Sequence, residues 1–280
     1  MERILVPTDG SQLSECAVPL AETLCRAQEA EALFAQIVEI PRWANFEAEG
    51  YTSAQVYDDL LAALEEEARG NLDGLVGRFH QQGLKATSIL RNGSPSMELL
   101  QIEEEQRPDL VVMGSHGRTG LARFALGSVA DRLLREGSSP VLVVRSFGAS
   151  TTSLERALVP LDGSPVAEQA LTVVEALAGK PLRSVRLLRA IAAATERAEV
   201  EAYLGQMAQQ LGRAGLQTDT DVRAEEPASA IEGAAKSVDV VIMATHGRGG
   251  MDRLRHGSVA EQVARQVSLP VLLVRAGGAS

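Results

Sequence analysis

Residues 109–120 of the chain read Asp-Leu-Val-Val-Met-Gly-Ser-His-Gly-Arg-Thr-Gly, and this stretch decides the fold. Its short apolar run ends at a glycine, which is typical of a strand buried on both faces of a parallel sheet. A glycine-rich turn then leads to Gly127 and Ser128, where a helical pattern begins. Gly114 and Gly117 allow positive φ and turn backbone N–H groups toward one point, while Ser128 can cap the helix at its positive end. The stretch therefore predicts an anion-binding turn between a strand and a helix.

The same pattern occurs a second time. Residues 243–251 read Met-Ala-Thr-His-Gly-Arg-Gly-Gly-Met, and Gly257 and Ser258 follow at the same spacing. About half of the positions in the two copies match at a fixed offset, which indicates an internal duplication. Neither copy has the Gly-Lys-Ser/Thr ending of a P-loop or the tight turn of a dinucleotide fingerprint. The alternative, that the glycines merely join a strand to a helix, explains one copy better than two.

Length and composition fit two domains of ordinary size. The 280 residues are 45% hydrophobic but only 3% aromatic, so Ala, Val and Leu must supply the core. The formal net charge of −10 disfavours binding to nucleic acid or to an anionic membrane surface. The chain starts directly with a predicted strand, and no apolar run is long enough to cross a bilayer. We therefore expect a cytoplasmic protein.

Each half of the chain alternates strands and helices. The halves begin with matching segments, residues 4–11 and 157–164, in which a strand runs into an Asp-Gly-Ser turn. Further strands and helices follow, with proline-marked helix starts at Pro95 and Pro227. This alternation predicts a parallel sheet in each half, wrapped on both faces by right-handed crossovers.

A segment of linker composition separates the halves. We expect a first domain over residues 1–146, a linker over 147–154 and a second domain over 155–280. The first half also carries an insert over residues 41–57, which holds four of the chain's nine aromatic residues. This insert could form a lid or an interface, and a surface flap without a function is an equal alternative.

These motifs resemble the universal stress protein family, present here as a tandem pair. The resemblance is carried by Val-Pro-x-Asp-Gly-Ser near the start of each half, by Gly-x-x-Gly-x9-Gly-Ser, and by the terminal strand Pro-Val-Leu-Val-Val. It implies an α/β fold of two tandem doubly wound five-stranded parallel sheets, each with strand order 3-2-1-4-5. This fold is Rossmann-like, of the adenine nucleotide α-hydrolase-like class. Many members of the family bind ATP, and in such a sheet a ligand sits where the strand order reverses, between strands one and four.

The resemblance implies an adenine nucleotide site in the first half. Pro7, Thr8 and Asp9 would flank the adenine, and Val38 would line the base. Asp9 could accept a hydrogen bond from the exocyclic amine, or it could serve only as a turn and helix-cap residue. Mg²⁺ would accompany ATP through its phosphates, and we expect neither a protein ligand for a metal nor a catalytic residue. The other candidates, grouped around the turn and the glycine loop, are Gly10, Gly114, Ser115, His116, Gly117, Arg118, Gly127, Ser128 and Val129.

The second half departs from this pattern in three ways. Ala244 replaces Gly114, Arg189 lies near the position that Val38 takes in the first half, and Glu225 and Glu226 bring two carboxylates toward the predicted phosphates. We therefore expect ATP in the first half, and weak binding or a different ligand in the second. The candidates retained in the second half are Asp162, Gly163, Gly247, Arg248, Gly257, Ser258 and Val259.

Two apolar segments are predicted to form sheet edges. They begin at Val141 and Val271 and end at Val144 and Val274. Unpaired apolar edges invite pairing, and members of the family typically pair them antiparallel across a two-fold axis. We expect an intramolecular pseudo-dimer through these segments, and a homodimer is a further option.

Three functions remain open from the sequence. The first is an ATP-binding stress-response protein whose occupancy alters its conformation or its choice of a protein partner. The second is a slow ATP hydrolase or phosphotransferase, against which stands the lack of a lysine in either glycine loop. The third is a nucleotide-free interaction scaffold, which the altered second half favours and the intact first loop disfavours.

Overall fold

A computed structural model of the protein describes residues 1–39, 54–115, 127–145, 152–246 and 258–276. Strands and helices alternate in both halves, as the sequence predicts. The insert lies outside the described residues as far as position 53, and its last residues begin a long helix. The elements of the first half are β1 Arg3–Thr8, α1 Gln12–Glu15, α2 Val18–Gln28, β2 Glu31–Val38, α3 Ala54–Gln81, β3 Ala86–Asn92, α4 Pro95–Gln106, β4 Leu110–Gly114, α5 Ser128–Glu136 and β5 Val141–Val144.

The second half repeats this order and adds a short 3-10 turn, Ala194–Glu196, before its long helix. Its elements are β6 Arg156–Pro160, α6 Pro165–Glu168, α7 Ala170–Leu177, β7 Ser184–Ala190, α8 Arg197–Arg213, β8 Gln217–Arg223, α9 Pro227–Ala235, β9 Val240–His246, α10 Ser258–Gln266 and β10 Val271–Ala276.

The described strands form one continuous sheet in the order β3-β2-β1-β4-β5-β10-β9-β6-β7-β8. Within each half the neighbours are parallel and the order is 3-2-1-4-5, which confirms the predicted fold class. β5 and β10 pair antiparallel and thereby join the two five-stranded units into one ten-stranded sheet. Val143 lies opposite Val271 and Leu142 opposite Leu272.

This central pairing has a simple physical cause. All four residues of β5 are buried and apolar, and so are the first four of β10. Left as edges, both strands would expose a row of unpaired backbone donors and acceptors beside apolar side chains. The antiparallel ladder satisfies these groups within one chain, so the intramolecular pairing predicted from the sequence is confirmed.

The two faces of the sheet are packed differently. On one face the helices of both halves share a single hydrophobic core, which includes Leu24 and Phe34 from the first half and Val174 and Leu204 from the second. On the other face each half has its own cluster, built on α4 and α5 or on α9 and α10. Leu134 of α5 packs against both of these clusters. The halves are therefore fused by core packing as well as by the sheet.

Two aspartates fix the sheet at the edge opposite the predicted ligand sites. The Asp109 carboxylate accepts hydrogen bonds from the N–H groups of Glu2 (2.5 Å) and Arg3 (3.0 Å). In the second half, Asp239 accepts from the N–H groups of Glu155 and Arg156, both at 3.0 Å, and from the Arg156 guanidinium at 2.8 Å. Each carboxylate ties the strand that follows it to the first strand of its half.

Of these two carboxylates, Asp239 is the more strongly held. Burial by itself raises the pKa of this carboxyl, but hydrogen bonds from Arg156 and Ser153 outweigh the burial and hold the pKa below its usual range. The ionised form is therefore the one that the fold favours.

A further buried carboxylate lies in the last turn of α4. Glu103 is 2% exposed and accepts hydrogen bonds from the N–H groups of Ser138 and Ser139 and from the Ser138 hydroxyl. A side chain at Gly137 would meet the Glu103 carboxylate at 2.4 Å, so only glycine fits there. Glu103 thereby fixes the chain between α5 and β5.

In the parts of the chain that the structure describes, no helix is long and apolar enough to cross a membrane.

Candidate functional site

The first candidate cleft lies where the strand order reverses. β1 is paired with β2 on one side and with β4 on the other, so the carboxyl ends of β1 and β4 are neighbours. Pro7 and Thr8 end β1, and Asp9 and Gly10 form the turn into α1. Gly114 ends β4 beside them. The structure thus brings the two ends of the predicted site together at one edge of the sheet.

The turn after β1 is a dense hydrogen-bond network. The Asp9 carboxylate accepts from the N–H of Ser11 at 3.0 Å and from its hydroxyl at 2.6 Å. Thr8 Oγ1 accepts from the N–H of Gly10 at 3.1 Å and shares a hydrogen bond with Ser14 Oγ at 3.0 Å. Gly10 has a φ of +78°, which favours glycine. Asp9 therefore has the turn role, which fixes its carboxylate at the mouth of the cleft, whereas Ser11 is the N-cap of α1.

Gly114 is required for a reason other than the predicted one. The expectation of positive φ is wrong, because the residue lies in β4 and its φ is not in the left-handed region. A Cβ at this position would lie 2.7 Å from the carbonyl oxygen of Leu13 and 3.2 Å from Cα of Ser14. Glycine instead permits α1 to pack directly on the end of the strand.

The described ends of the glycine loop close on each other. The Ser115 N–H donates to the carbonyl oxygen of Val144 at 2.7 Å, and the Gly127 N–H donates to that of Ser115 at 2.9 Å. Helix α5 therefore starts directly beyond the end of β4. The sequence predicted Ser128 as the cap, but Gly127 holds that position, with φ −61° and ψ 153°, and Ser128 is the first helical residue. Val129 follows it, and His116, Gly117 and Arg118 lie outside the described residues.

Two residues of β2 reach the same region. Val38 ends the strand, is 6% exposed, and its carbonyl oxygen accepts from the N–H of Gly93 at 3.0 Å. Gln36 pairs in register with Thr8 and is 4% exposed. Its Oε1 has no hydrogen-bond partner in the parts of the chain that the structure describes. The sequence reading missed Gln36, although a single amide within an otherwise apolar strand was the available signal.

The second half encloses a cavity at the equivalent place. Its volume is about 420 Å³, within the usual range for small-molecule sites. The cavity lies at the carboxyl ends of β6, β7 and β9 and beside the start of α10. Its lining includes Pro160, Asp162, Arg189, Ala244 and Val259.

Several predicted residues of the second half bear on this cavity. Gly163, with a φ of +79°, repeats the turn conformation of Gly10. Ser258 begins α10, whereas Gly247, Arg248 and Gly257 lie outside the described residues. The carboxylate of Glu226 caps α9 by accepting from the N–H of Ser229 at 3.1 Å. One of the two acidic groups expected to repel phosphate is therefore engaged at its own helix.

Arg189 lies near the position that corresponds to Val38, and the strand registers define its place to the residue. The strand registers place Gln36 beside Thr8 and Leu188 beside Pro160, and Pro160 corresponds to Pro7. Counting from these pairs, Arg189 corresponds to Gln36, and Ile191 corresponds to Val38. The position of Val38 thus keeps an apolar residue in the second half, and both halves carry a polar side chain two positions earlier in the strand.

The Arg189 guanidinium lies against the turn and an aromatic ring. Its Nη1 lies 2.4 Å from the place where a Cβ of Gly163 would be, so a larger residue there would displace it. Its Cζ lies 5.5 Å from the centroid of the Tyr203 ring, within the range of a cation–π contact. The Tyr203 hydroxyl donates to Glu168 Oε1 at 2.9 Å. Burial and this hydrogen bond raise the pKa of Tyr203, so the hydroxyl stays protonated.

The fold and the paired clefts define a duplicated, doubly wound α/β protein with a candidate ligand site at each strand-order reversal. The family model described as "Universal stress protein family" matches residues 1–145 and 153–275. The chain therefore belongs to the universal stress protein family, in a form with two copies of the domain.

Individual relatives agree with this assignment. A universal stress protein of Mycolicibacterium smegmatis is 28% identical over 291 residues, covering 97% of this chain and 96% of the relative. One of Methanocaldococcus jannaschii is 33% identical over 144 residues, covering 51% of this chain and 82% of the relative. The crystal structure of a universal stress protein from Archaeoglobus fulgidus has a TM-score of 0.77 at 20% identity and covers 98% of both chains. This last likeness shows the shared fold.

Proposed function

We propose that the protein is an ATP-binding universal stress protein, in which the nucleotide lies at the strand-order reversal between β1 and β4. The adenine lies beside Pro7, Thr8 and Val38, and the phosphates lie at the start of α5. One observation carries the proposal: the Ser115 to Gly127 hydrogen bond returns the start of α5 to the end of β4. Free N–H groups in the first turn of a helix favour anionic ligands such as phosphate.

The size and chemistry of the site suit a nucleotide. The corresponding cavity of the second half, about 420 Å³, has room for a small-molecule ligand. Among the described residues, no group of three or more His, Cys, Asp or Glu side chains could hold a metal. In this proposal Mg²⁺ accompanies ATP through its phosphates.

We propose further that the first half is the principal ATP site. The second cavity carries Arg189 where the first half has Gln36, and Ala244 where it has Gly114. In this proposal, occupancy of the first cleft controls conformation or partner choice. The domain limits at residues 146 and 155, a cytoplasmic location, a homodimer and a protein partner remain predictions.

The proposal is tested by two matched charge substitutions. Ser128 and Ser258 are the first residues of α5 and α10. An aspartate at a helix start does not harm the helix, but it repels a phosphate bound there. ATP is measured by isothermal titration with Mg²⁺, and nucleotide released from the denatured purified protein is identified by HPLC.

We expect about one ATP per chain, and we expect Ser128→Asp to abolish it while Ser258→Asp leaves it unchanged. ADP in place of ATP in the released material would favour the slow hydrolase. Full ATP binding by the Ser128→Asp variant would contradict the proposed site, and no ATP binding by the unaltered protein would favour the interaction scaffold.

A further inference from the structure

The cavity of the second half contains an arginine with unused hydrogen-bonding capacity. Arg189 lines the cavity and is half-buried. Its guanidinium has five N–H donors. In the described parts of the chain it has one recorded partner, the face of the Tyr203 ring, and no hydrogen bond or ion pair. A cation–π contact uses the face of the guanidinium and leaves its edge free for an acceptor.

The surroundings hold this arginine in place. Tyr203 stacks on it from α8, and the hydrogen bond to Glu168 fixes the orientation of the Tyr203 ring. Gly163 leaves the space that the guanidinium fills on the other side. A donor fixed in this way loses little conformational entropy on binding a ligand, so it can discriminate between acceptor patterns.

An acidic group lies at the same end of the cavity. Asp162 Oδ1 accepts from the N–H of Ser164 at 2.9 Å. Its second carboxylate oxygen has no recorded partner among the residues that the structure describes, and Asp162 lines the cavity together with Arg189. The cavity therefore presents the Arg189 guanidinium, which only donates hydrogen bonds, and the Asp162 carboxylate, which only accepts them.

This pair of groups suits one class of base. The forked guanidinium is matched by two adjacent acceptors, and the carboxylate is matched by two adjacent donors. Guanine has both: O6 and N7 accept, and N1–H and the 2-amino group donate. Adenine places a donor, the 6-amino group, between its acceptors N1 and N7. A guanidinium bound to that edge would point one of its N–H donors at this amino group, which is also a donor.

We propose that the second cleft selects a guanine nucleotide, with Arg189 reading O6 and N7 and Asp162 reading N1–H and the 2-amino group. This inference rests on the proposed function, because it assumes that the clefts bind nucleotides through the starts of α5 and α10. Arg189 is then the residue that distinguishes the two halves, since the corresponding Gln36 carries no charge. The two clefts of one chain would sense two different nucleotides.

The test uses the full-length protein and titrates GDP and ADP, each with Mg²⁺, by calorimetry. In the unaltered protein we expect one GDP site, which survives Ser128→Asp. Arg189→Gln, which introduces the residue of the first half, should weaken GDP binding by about tenfold or more. Arg189→Lys keeps the charge but not the fork, so it should weaken GDP binding to an intermediate extent.

Arg183→Gln is the matched control. Arg183 precedes the opposite end of the same strand, is exposed and pairs with Glu155, so its loss should leave GDP affinity unchanged. Circular dichroism and thermal melting verify that each variant is folded. Unchanged GDP affinity in Arg189→Gln, or binding of ADP but not GDP, would overturn this inference but not the proposed function. Binding of neither nucleotide, in a protein that also fails to bind ATP with Mg²⁺, would refute the proposed function as well.

Discussion

Arg145 and Arg275 hold the two halves together by the same contact made in opposite directions. Arg145 follows β5, and its guanidinium donates to the carbonyl oxygens of Val267 (3.0 Å) and Arg265 at the end of α10. Arg275 of β10 donates to the carbonyl oxygen of Gly137, at the end of α5. Each arginine thus satisfies carbonyl groups at the C-terminus of a helix from the other half, where a positive charge is also favoured by the helix dipole.

The first prediction concerns these hydrogen bonds between the halves. Arg145→Lys keeps the charge but cannot fork between two carbonyl oxygens, so we expect the free energy of unfolding to fall by about 1–2 kcal/mol. Arg135→Lys is the control, because Arg135 is exposed and, in the part of the chain that the structure describes, pairs with Asp131 of its own helix. Urea unfolding measures both variants. Equal losses in the two would show that the interdomain contact adds nothing.

The second prediction concerns the close approach at Gly114. Gly114→Ala forces a Cβ against the Leu13 carbonyl oxygen, so we expect a loss of about 1–3 kcal/mol and weaker ATP binding. Gly77→Ala is the matched control, since an added Cβ there would meet no described residue within 4 Å outside its own stretch of helix. Gly77 lies in α3, where alanine should stabilise by about 0.5–1 kcal/mol. A stabilising effect at both positions would contradict the packing seen at Gly114.

The third prediction concerns pH. The folded-state pKa of Asp239 is depressed, so its contribution to stability is present above the unfolded-state pKa and is lost as pH falls through the folded-state value. Asp239→Asn should therefore destabilise by about 1–3 kcal/mol at pH 7 and by progressively less toward pH 3. Thermal melting across this range gives the comparison. Asp219→Asn, which removes an exposed partner of Arg186, should cost at most about 1 kcal/mol. A constant difference from pH 7 to pH 3 would rule out the ionised form of Asp239 as the source.

The fourth prediction concerns the buried amide in β2. Gln36 Oε1 has no described partner, so Gln36→Met should raise the free energy of unfolding of the ligand-free protein by about 1 kcal/mol. Gln28→Met should lower it, because Gln28 Nε2 donates to the carbonyl oxygens of Ala176 (3.1 Å) and Lys180 in the other half. Chemical denaturation separates the two cases. A destabilised Gln36→Met variant would mean that the amide already has a structural role.

The strand order was implied by the family resemblance that the repeated motifs carry, and the central pairing followed from the two apolar edges in that order. Apolar runs ended by glycine and an Asp-Gly-Ser turn in each half indicate where strands stop, and two apolar edges in one chain predict that they meet. The position of Arg189 was not predictable to the residue, because β7 has no turn at its end that would fix the register with β6. Shifting a strand pairing by a residue or two changes which side chain reaches the site.

Other features of the site need three-dimensional information. Whether Gly127 or Ser128 caps α5 is decided by one residue of backbone geometry, and helix ends are uncertain by that much in a sequence. The need for glycine at Gly114 comes from Leu13, which is a hundred positions away in the chain and near only after folding. The roles of Asp109 and Asp239 likewise depend on folding, because their partners lie at the start of each half.

The antiparallel pairing of β5 with β10 has a consequence for how such a protein can evolve. In a dimer of identical chains, any substitution in one cleft is made in both, so a change that suits a second ligand harms the first. Here both members of the pair are encoded in one chain, and the contact between them does not weaken on dilution because it is intramolecular. One cleft can then carry Arg189 and Ala244 where the other carries Gln36 and Gly114. Fusion of the halves thus permits a division of labour that a symmetric assembly forbids.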